Sequence, residues 1–167
     1  MATNTHTPIA IVMGSDSDLK VMQACIQLLE TFDIYPAVRI ISAHRTPQIA
    51  AEFAESAAAA GIKVIIAAAG MAAHLAGALA ARTPLPVIGV PLDAGHGLGG
   101  IDALLSTVQM PPGVPVATMA IGKPGAKNAA IFAIQVLALS DPALARKLAD
   151  FRTSQQQNVI AKDAAIQ

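Results

Sequence analysis

Ser42-Ala43-His44-Arg45-Thr46-Pro47 puts an imidazole beside a guanidinium, with a hydroxyl on either flank. The imidazole can exchange a proton near neutral pH, and the guanidinium is always charged and forks toward anions. Residues of these types suit acid–base chemistry on an anionic substrate. The stretch follows an apolar run, Tyr35 to Ile41, and precedes a helical pattern that opens at Pro47. Open α/β sheets bind their ligands at such carboxyl ends of strands.

A second candidate is Gly14-Ser15-Asp16-Ser17-Asp18, between the first apolar run and the first helical pattern. Helix N-terminal amides and serine hydroxyls favour phosphate, and an aspartate there can take ribose hydroxyls. Ser and Asp are equally good helix caps, so both readings stand. The stretch is not a Walker loop and lacks the dinucleotide fingerprint. A third candidate is Ala69-Gly70-Met71-Ala72-Ala73-His74. Its amides could cradle a carboxylate or CO2-sized group, or its small residues could serve close helix–strand packing. His74 reads as a hydrogen-bonded core residue inside a helix. Lys123 and Lys127 read as surface lysines and His6 as a tail residue. No Cys/His or carboxylate cluster has metal-site spacing.

Strands and helices must alternate to hold these loops. Pro8–Met13, Tyr35–Ile41, Lys63–Ala68, Pro86–Val90 and Pro115–Ile121 are apolar without period-two alternation, as in parallel strands covered on both faces. Helical patterns cover Asp18–Phe32, Pro47–Ala60, Ala72–Arg82, Ile101–Val108, Ala126–Leu139 and Pro142–Gln155. Leu19, Met22, Ile26 and Leu29 make the core stripe of the first helix, and Gly61 suits the C-terminal cap of the second. The expected fold is a parallel sheet of about five strands with helices on both faces and a C-terminal helix. One domain spans residues 1–167, with its core at about 8–152. From about Thr153 the chain is polar and glutamine-rich, a helix end or a frayed tail. In a doubly wound sheet the first two strands are neighbours, so the loops after them open on one crevice.

The 167 residues suffice for one core. Zero formal net charge and 13% charged residues argue against nucleic acid. The uncharged window Val64–Ala81 is alanine-rich, broken by Gly70 and carries His74. It reads as a buried strand running into a small-residue helix rather than a membrane span. Met1 to Thr7 lacks the layout of a signal peptide. Cys25 lies on a helical pattern and cannot form an internal disulfide, which suits a buried thiol in a reducing cytoplasm. High apolarity with few charges predicts a homo-oligomer.

Taken together, these segments resemble the PurE family of de novo purine biosynthesis, and within it the mutase branch. The resemblance runs from about Ile9 to Phe151. It is carried by Met13-Gly14-Ser15 with Ser17-Asp18, by Ser42 to Pro47, and by Ala72-Ala73-His74-Leu75. It continues through Pro86 to Pro91, Val108 to Pro111, and Ala120-Ile121-Gly122 before Asn128-Ala129-Ala130. It implies a three-layer flavodoxin-like fold and a cytoplasmic homo-octamer with active sites at subunit interfaces. The implied activity is the isomerisation of N5-carboxyaminoimidazole ribonucleotide to 4-carboxy-5-aminoimidazole ribonucleotide by decarboxylation and recarboxylation, with no metal or organic cofactor. By position His44 is the expected general acid/base. Ser15, Asp18 and Arg45 are the expected main substrate contacts, with Ser17, Ser42 and Ala43 nearby and Gly70, Ala73 and Leu75 after the third strand.

The sequence departs from the family's usual pattern in two places. Met71 stands where a glycine is usual, and Ala76 where proline is usual. Asp93 to Gly100 replaces a serine-containing loop; four of its eight residues are glycine, so it is expected to be a mobile lid, with His96 at its centre. The family's other branch carboxylates aminoimidazole ribonucleotide directly and tends to read Ser-Ala-His-Lys. Arg45-Thr46-Pro47 and the His74 segment favour the mutase. A non-catalytic nucleotide-binding module would need no titratable base like His44.

Overall fold

The computed structural model describes residues 7–95 and 98–167. His6 and His96, and with His96 the centre of the expected lid, lie outside the described residues.

The chain runs β1 (Ile9–Met13), a 3-10 turn (Asp16–Asp18), α1 (Leu19–Glu30), β2 (Ala37–Ile40), α2 (Pro47–Ser56), β3 (Val64–Gly70) and α3 (Leu75–Ala80). It continues with β4 (Val87–Leu92), α4 (Ile101–Val108), β5 (Ala117–Thr118), α5 (Gly122–Ala138) and α6 (Pro142–Ala164). The strands form one parallel sheet in the order β2-β1-β3-β4-β5. Helices cover both sides, giving the flavodoxin-like α/β fold. The direction of winding reverses at β1, so the crevice at its carboxyl end is the natural ligand position. Residues 7–133 and 134–167 form two compact units.

β1, β4 and the first five residues of β3 are buried throughout. Alternate residues point to opposite faces. Ala10, Val12, Ile65 and Ala67 meet Ala50 and Ala54 of α2 and Leu75, Ala76 and Leu79 of α3 in one cluster. Ile9, Ile11 and Met13 face the other way and are equally buried, as are Met22, Cys25, Ile26 and Leu29 on α1. Burial pushes the Cys25 thiol up to about 12, which leaves it no thiolate for chemistry at neutral pH. Gly89 on β4 lets α4 approach: a Cβ there would lie 2.4 Å from Thr107 Cγ2. The Thr107 hydroxyl is satisfied by the Ala103 carbonyl at 2.7 Å.

Several elements differ from the sequence expectation. Leu19, placed in the core stripe of α1, is exposed, because the stripe begins only at Met22. β2 is an edge strand whose Val38 and Ile40 are exposed, so it is not covered on both faces. α2 ends at Ser56, and Gly61 takes φ +87° after further turns. α3 starts at Leu75, not Ala72. β5 shrinks to two residues. α5 begins at Gly122 rather than Ala126, because Pro124 falls in the first turn, where no amide is needed. Gly125 is fixed there by a close approach: a Cβ would lie 1.6 Å from the Ala120 carbonyl oxygen. α6 runs on to Ala164 past the expected end at Gln155. Gln, Ala and Lys are good helix formers, so a polar composition does not stop the helix. Asp141 caps its start by accepting from the Ala143 and Leu144 amides at 3.0 and 3.1 Å.

Candidate active site

Three loops leave the carboxyl edge of β1, β2 and β3. Backbone hydrogen bonds carry the strand register into two of them: Ile41 N–H donates to the Met13 carbonyl at 2.8 Å, and Gly14 N–H to Ala68 at 3.1 Å. The loop after β1 is a capping box. Ser15 accepts from Ser17 N–H at 3.3 Å, and Asp18 Oδ2 accepts from Ser15 N–H at 3.0 Å. The Ser17 hydroxyl reaches Ser15 Oγ at 2.9 Å, and Ser15 Oγ reaches Asp16 Oδ1 at 3.1 Å. The cap reading therefore holds, with Ser15 and Asp18 half-buried and Ser17 exposed at the edge. Burial raises the Asp18 carboxyl above its ordinary value of 3.8, against the lowering effect of hydrogen bonds from Ser15, Gly14 and Ser17.

The loop after β2 folds back on Ser42. Ser42 Oγ accepts from Arg45 N–H at 3.2 Å and from Arg45 Nε at 3.3 Å. Arg45 Nη2 then crosses to the first loop and donates to the Gly14 carbonyl at 2.8 Å. A guanidinium has five donors; these side-chain bonds use two, and the others can serve an anion. Gly14, Ser15, Asp16, Ile40, Ser42, Arg45 and Thr46 line a cleft of about 430 Å³. The two loops thus share one crevice, as the neighbouring of β1 and β2 requires. Ala43 packs against the core cluster.

His44 is exposed, and its Nε2 lies 2.8 Å from Nδ1 of His74. The rings meet edge to face at 86°, with centroids 4.9 Å apart. One nitrogen of this pair must donate and the other accept, so each ring fixes the tautomer of its partner. The expectation that His74 is a core residue within a helix is wrong. It stands exposed at the N-terminal boundary of α3, with φ −75°, because the chain turns before Leu75 rather than at Ala72. The sequence held one clue: three small residues and a glycine precede His74, and such a run can turn tightly.

The loop after β3 is held differently. Gly70 is tightly enclosed: a Cβ would sit 3.1 Å from the Leu92 carbonyl and 3.2 Å from Ala94 Cβ, so either neighbour would have to give by a few tenths of an ångström. Met71 is left-handed at φ +55° and exposed. The amides of Ala73 and His74 donate to the Met71 and Ala72 carbonyls at 2.9 and 2.8 Å. Ala73 and Leu75 are buried as whole residues, backbone included. Lys123 and Lys127 are exposed. Among the described residues, no group of three or more His, Cys, Asp or Glu could hold a metal ion, and no helix is long and apolar enough to cross a membrane.

The sequence model of AIR carboxylase matches residues 8–158. The chain belongs to this family. A protein of Synechocystis named N5-carboxyaminoimidazole ribonucleotide mutase is 50% identical over 165 residues, 99% of this chain and 92% of that one. Proteins with the same name in Brucella melitensis and Escherichia coli are 54% and 49% identical, covering 90% and 94% of this chain and 93% and 92% of theirs. The crystal structure of Treponema denticola PurE superposes with a TM-score of 0.83 at 28% identity, covering 93% of this chain and 96% of that one.

Proposed function

We propose that the protein is an N5-carboxyaminoimidazole ribonucleotide mutase, an isomerase of purine biosynthesis that moves a carboxyl group from nitrogen to carbon within one nucleotide. The observation that carries this reading is the exposed His44, hydrogen-bonded to His74 at 2.8 Å and next to Arg45, which is tied across the cleft to Gly14. The shared name of relatives near 50% identity supports it.

Arg45 and the hydroxyls of Ser15 and Ser17 bind the single phosphate, and Asp18 takes ribose hydroxyls. Ser42, Ala43, Gly70, Ala73 and Leu75 complete the pocket. The N–CO2 bond of the carbamate breaks, and His44 protonates the exocyclic nitrogen, leaving aminoimidazole ribonucleotide and CO2. Carbon 4 attacks the retained CO2, and His44 removes the proton from that carbon. The proton given in the first step returns in the second, so none is consumed. An imidazole can alternate these roles near neutral pH, and holding CO2 beside its acceptor is a matter of proximity. His74 holds the His44 ring through Nδ1.

The whole chain acts as one domain, which a family match running across both compact units supports. It works as a cytoplasmic homo-octamer. Exposed Val38 and Ile40 on β2, and Ile101, Leu105 and Val108 on α4, support burial against further copies.

The family's name covers direct carboxylation too, and a turnover assay separates the two reactions. The purified protein is given N5-carboxyaminoimidazole ribonucleotide alone, or aminoimidazole ribonucleotide with and without bicarbonate. Rapid conversion of the first without bicarbonate is expected. Turnover of aminoimidazole ribonucleotide alone, dependent on bicarbonate, would overturn the mutase in favour of the carboxylase, and binding without turnover would leave a nucleotide-binding module.

A further inference from the structure

We propose that Thr46 is a positioning residue whose hydroxyl closes the Ser42–Thr46 loop and so fixes His44 against His74 and Arg45 over the cleft. The proposal rests on the reading of His44 as the proton carrier.

Thr46 is the residue before α2 and stands at its N-cap. A threonine there ordinarily accepts from the amides of the first helical turn. This one makes no such bond. Its hydroxyl turns back along the chain instead, accepting from Ser42 N–H at 3.0 Å and donating to the Ser42 carbonyl at 2.9 Å. Thr46 N–H donates to the same carbonyl at 2.8 Å. One residue thus engages both backbone groups of Ser42 and pins the two ends of the loop together.

The groups pinned between those ends carry the chemistry. Ser42, held by Thr46, in turn accepts from Arg45 N–H and Nε, so the direction of the guanidinium depends on where Ser42 sits. His44 lies between, and its ring bond to His74 spans two loops. That bond requires the His44 backbone to stay at one position relative to α3. Thr46 is half-buried, so water competes poorly for its hydroxyl. The amides of Gln48 and Ile49, where a capping side chain would reach, receive no bond from it. The hydroxyl is therefore committed to the loop rather than to the helix.

Thr46→Val keeps the shape and removes the hydroxyl; Thr46→Ser keeps the hydroxyl and removes a methyl. In steady-state kinetics on the full-length protein, kcat of Thr46→Val is expected to fall about tenfold to a hundredfold, the scale of an ångström of misplacement. Thr46→Ser is expected to recover to within about threefold of wild type, since its loop bonds survive. A purely structural role would instead lower the melting temperature and leave kcat intact. Wild-type kcat in Thr46→Val, or a Thr46→Ser as slow as the valine variant, overturns the proposal. Should Thr46→Val fail to fold, Thr46→Ala carries the same expectation and the same refutation. A second readout needs no turnover: the ring N–H shared by His44 and His74, observed by NMR with labelled histidine. Its loss in the valine variant and retention in the serine variant are expected, and an unchanged signal in the valine variant overturns the proposal. If the wild type does not convert the ribonucleotide, the mutase reading fails, and the ring signal alone decides the role of Thr46.

Discussion

The loop carrying His44 and the loop carrying His74 leave strands that flank β1, and they are stabilised by different means. Ser42 to Thr46 is tied by side-chain hydrogen bonds among Ser42, Arg45 and Thr46 and across to Gly14. Gly70 to His74 is tied by side chain only at its end, where His74 meets His44; it is otherwise shaped by a glycine pressed against β4 and by Met71 in a left-handed conformation. Polar side chains can be read from a sequence by type and spacing. A loop shaped by what is missing from its side chains reads as packing, whatever its terminal residue does. The two histidines differ in legibility for that reason, although they share one hydrogen bond.

The comparison breaks most sharply at His44. His44→Asn is expected to fold and to bind nucleotide but to lose turnover by about 10²–10⁴-fold, the usual contribution of a general acid–base group. Retention of more than about a tenth of the wild-type rate, below the smallest usual contribution of such a group, would refute the role. Arg45→Ala comes next. It removes the anion fork and its tie to Gly14, and should weaken binding of the ribonucleotide by about 1.5–3 kcal/mol with assembly preserved. Calorimetry that finds unchanged affinity would put the phosphate elsewhere. The smallest effect belongs to the other loop. Met71→Gly relieves a left-handed residue, costing roughly 1–2 kcal/mol, against a backbone entropy cost of about 0.5–1 kcal/mol. The net, about 0.75 kcal/mol at the centre of these ranges, is a melting temperature higher by about 1.5–3 °C. A drop in the melting temperature would mean that the Met71 side chain makes contacts that outweigh its strain.

Much of the fold was readable because the central strands are continuous apolar runs and the helices between them show a buried face. β1, β3 and β4 fall within a residue or two of the expected limits, and α4 coincides with its pattern. Errors cluster where a local rule met a tertiary fact. Gly122 and Pro124 look like loop residues, yet α5 starts there because its first turn needs no amide from Pro124. Leu19 and Ile40 have the type of core residues but stand exposed. In the site, the shared crevice of the first two loops followed from strand order. The His44–His74 contact did not, since it depends on α3 starting three residues later than its alanine pattern suggests. The turn of the Thr46 hydroxyl was equally hidden: in sequence, a threonine before a proline is indistinguishable from an ordinary cap.

The burial of Cys25 has a practical consequence. With its thiol pushed up to about 12, only about one molecule in ten thousand would carry the reactive thiolate at pH 8. The native chain is therefore nearly silent toward maleimides. A cysteine introduced at exposed Leu98 would become the single labelling point, and a fluorophore there would report on the glycine-rich segment without any native residue of the cleft being replaced.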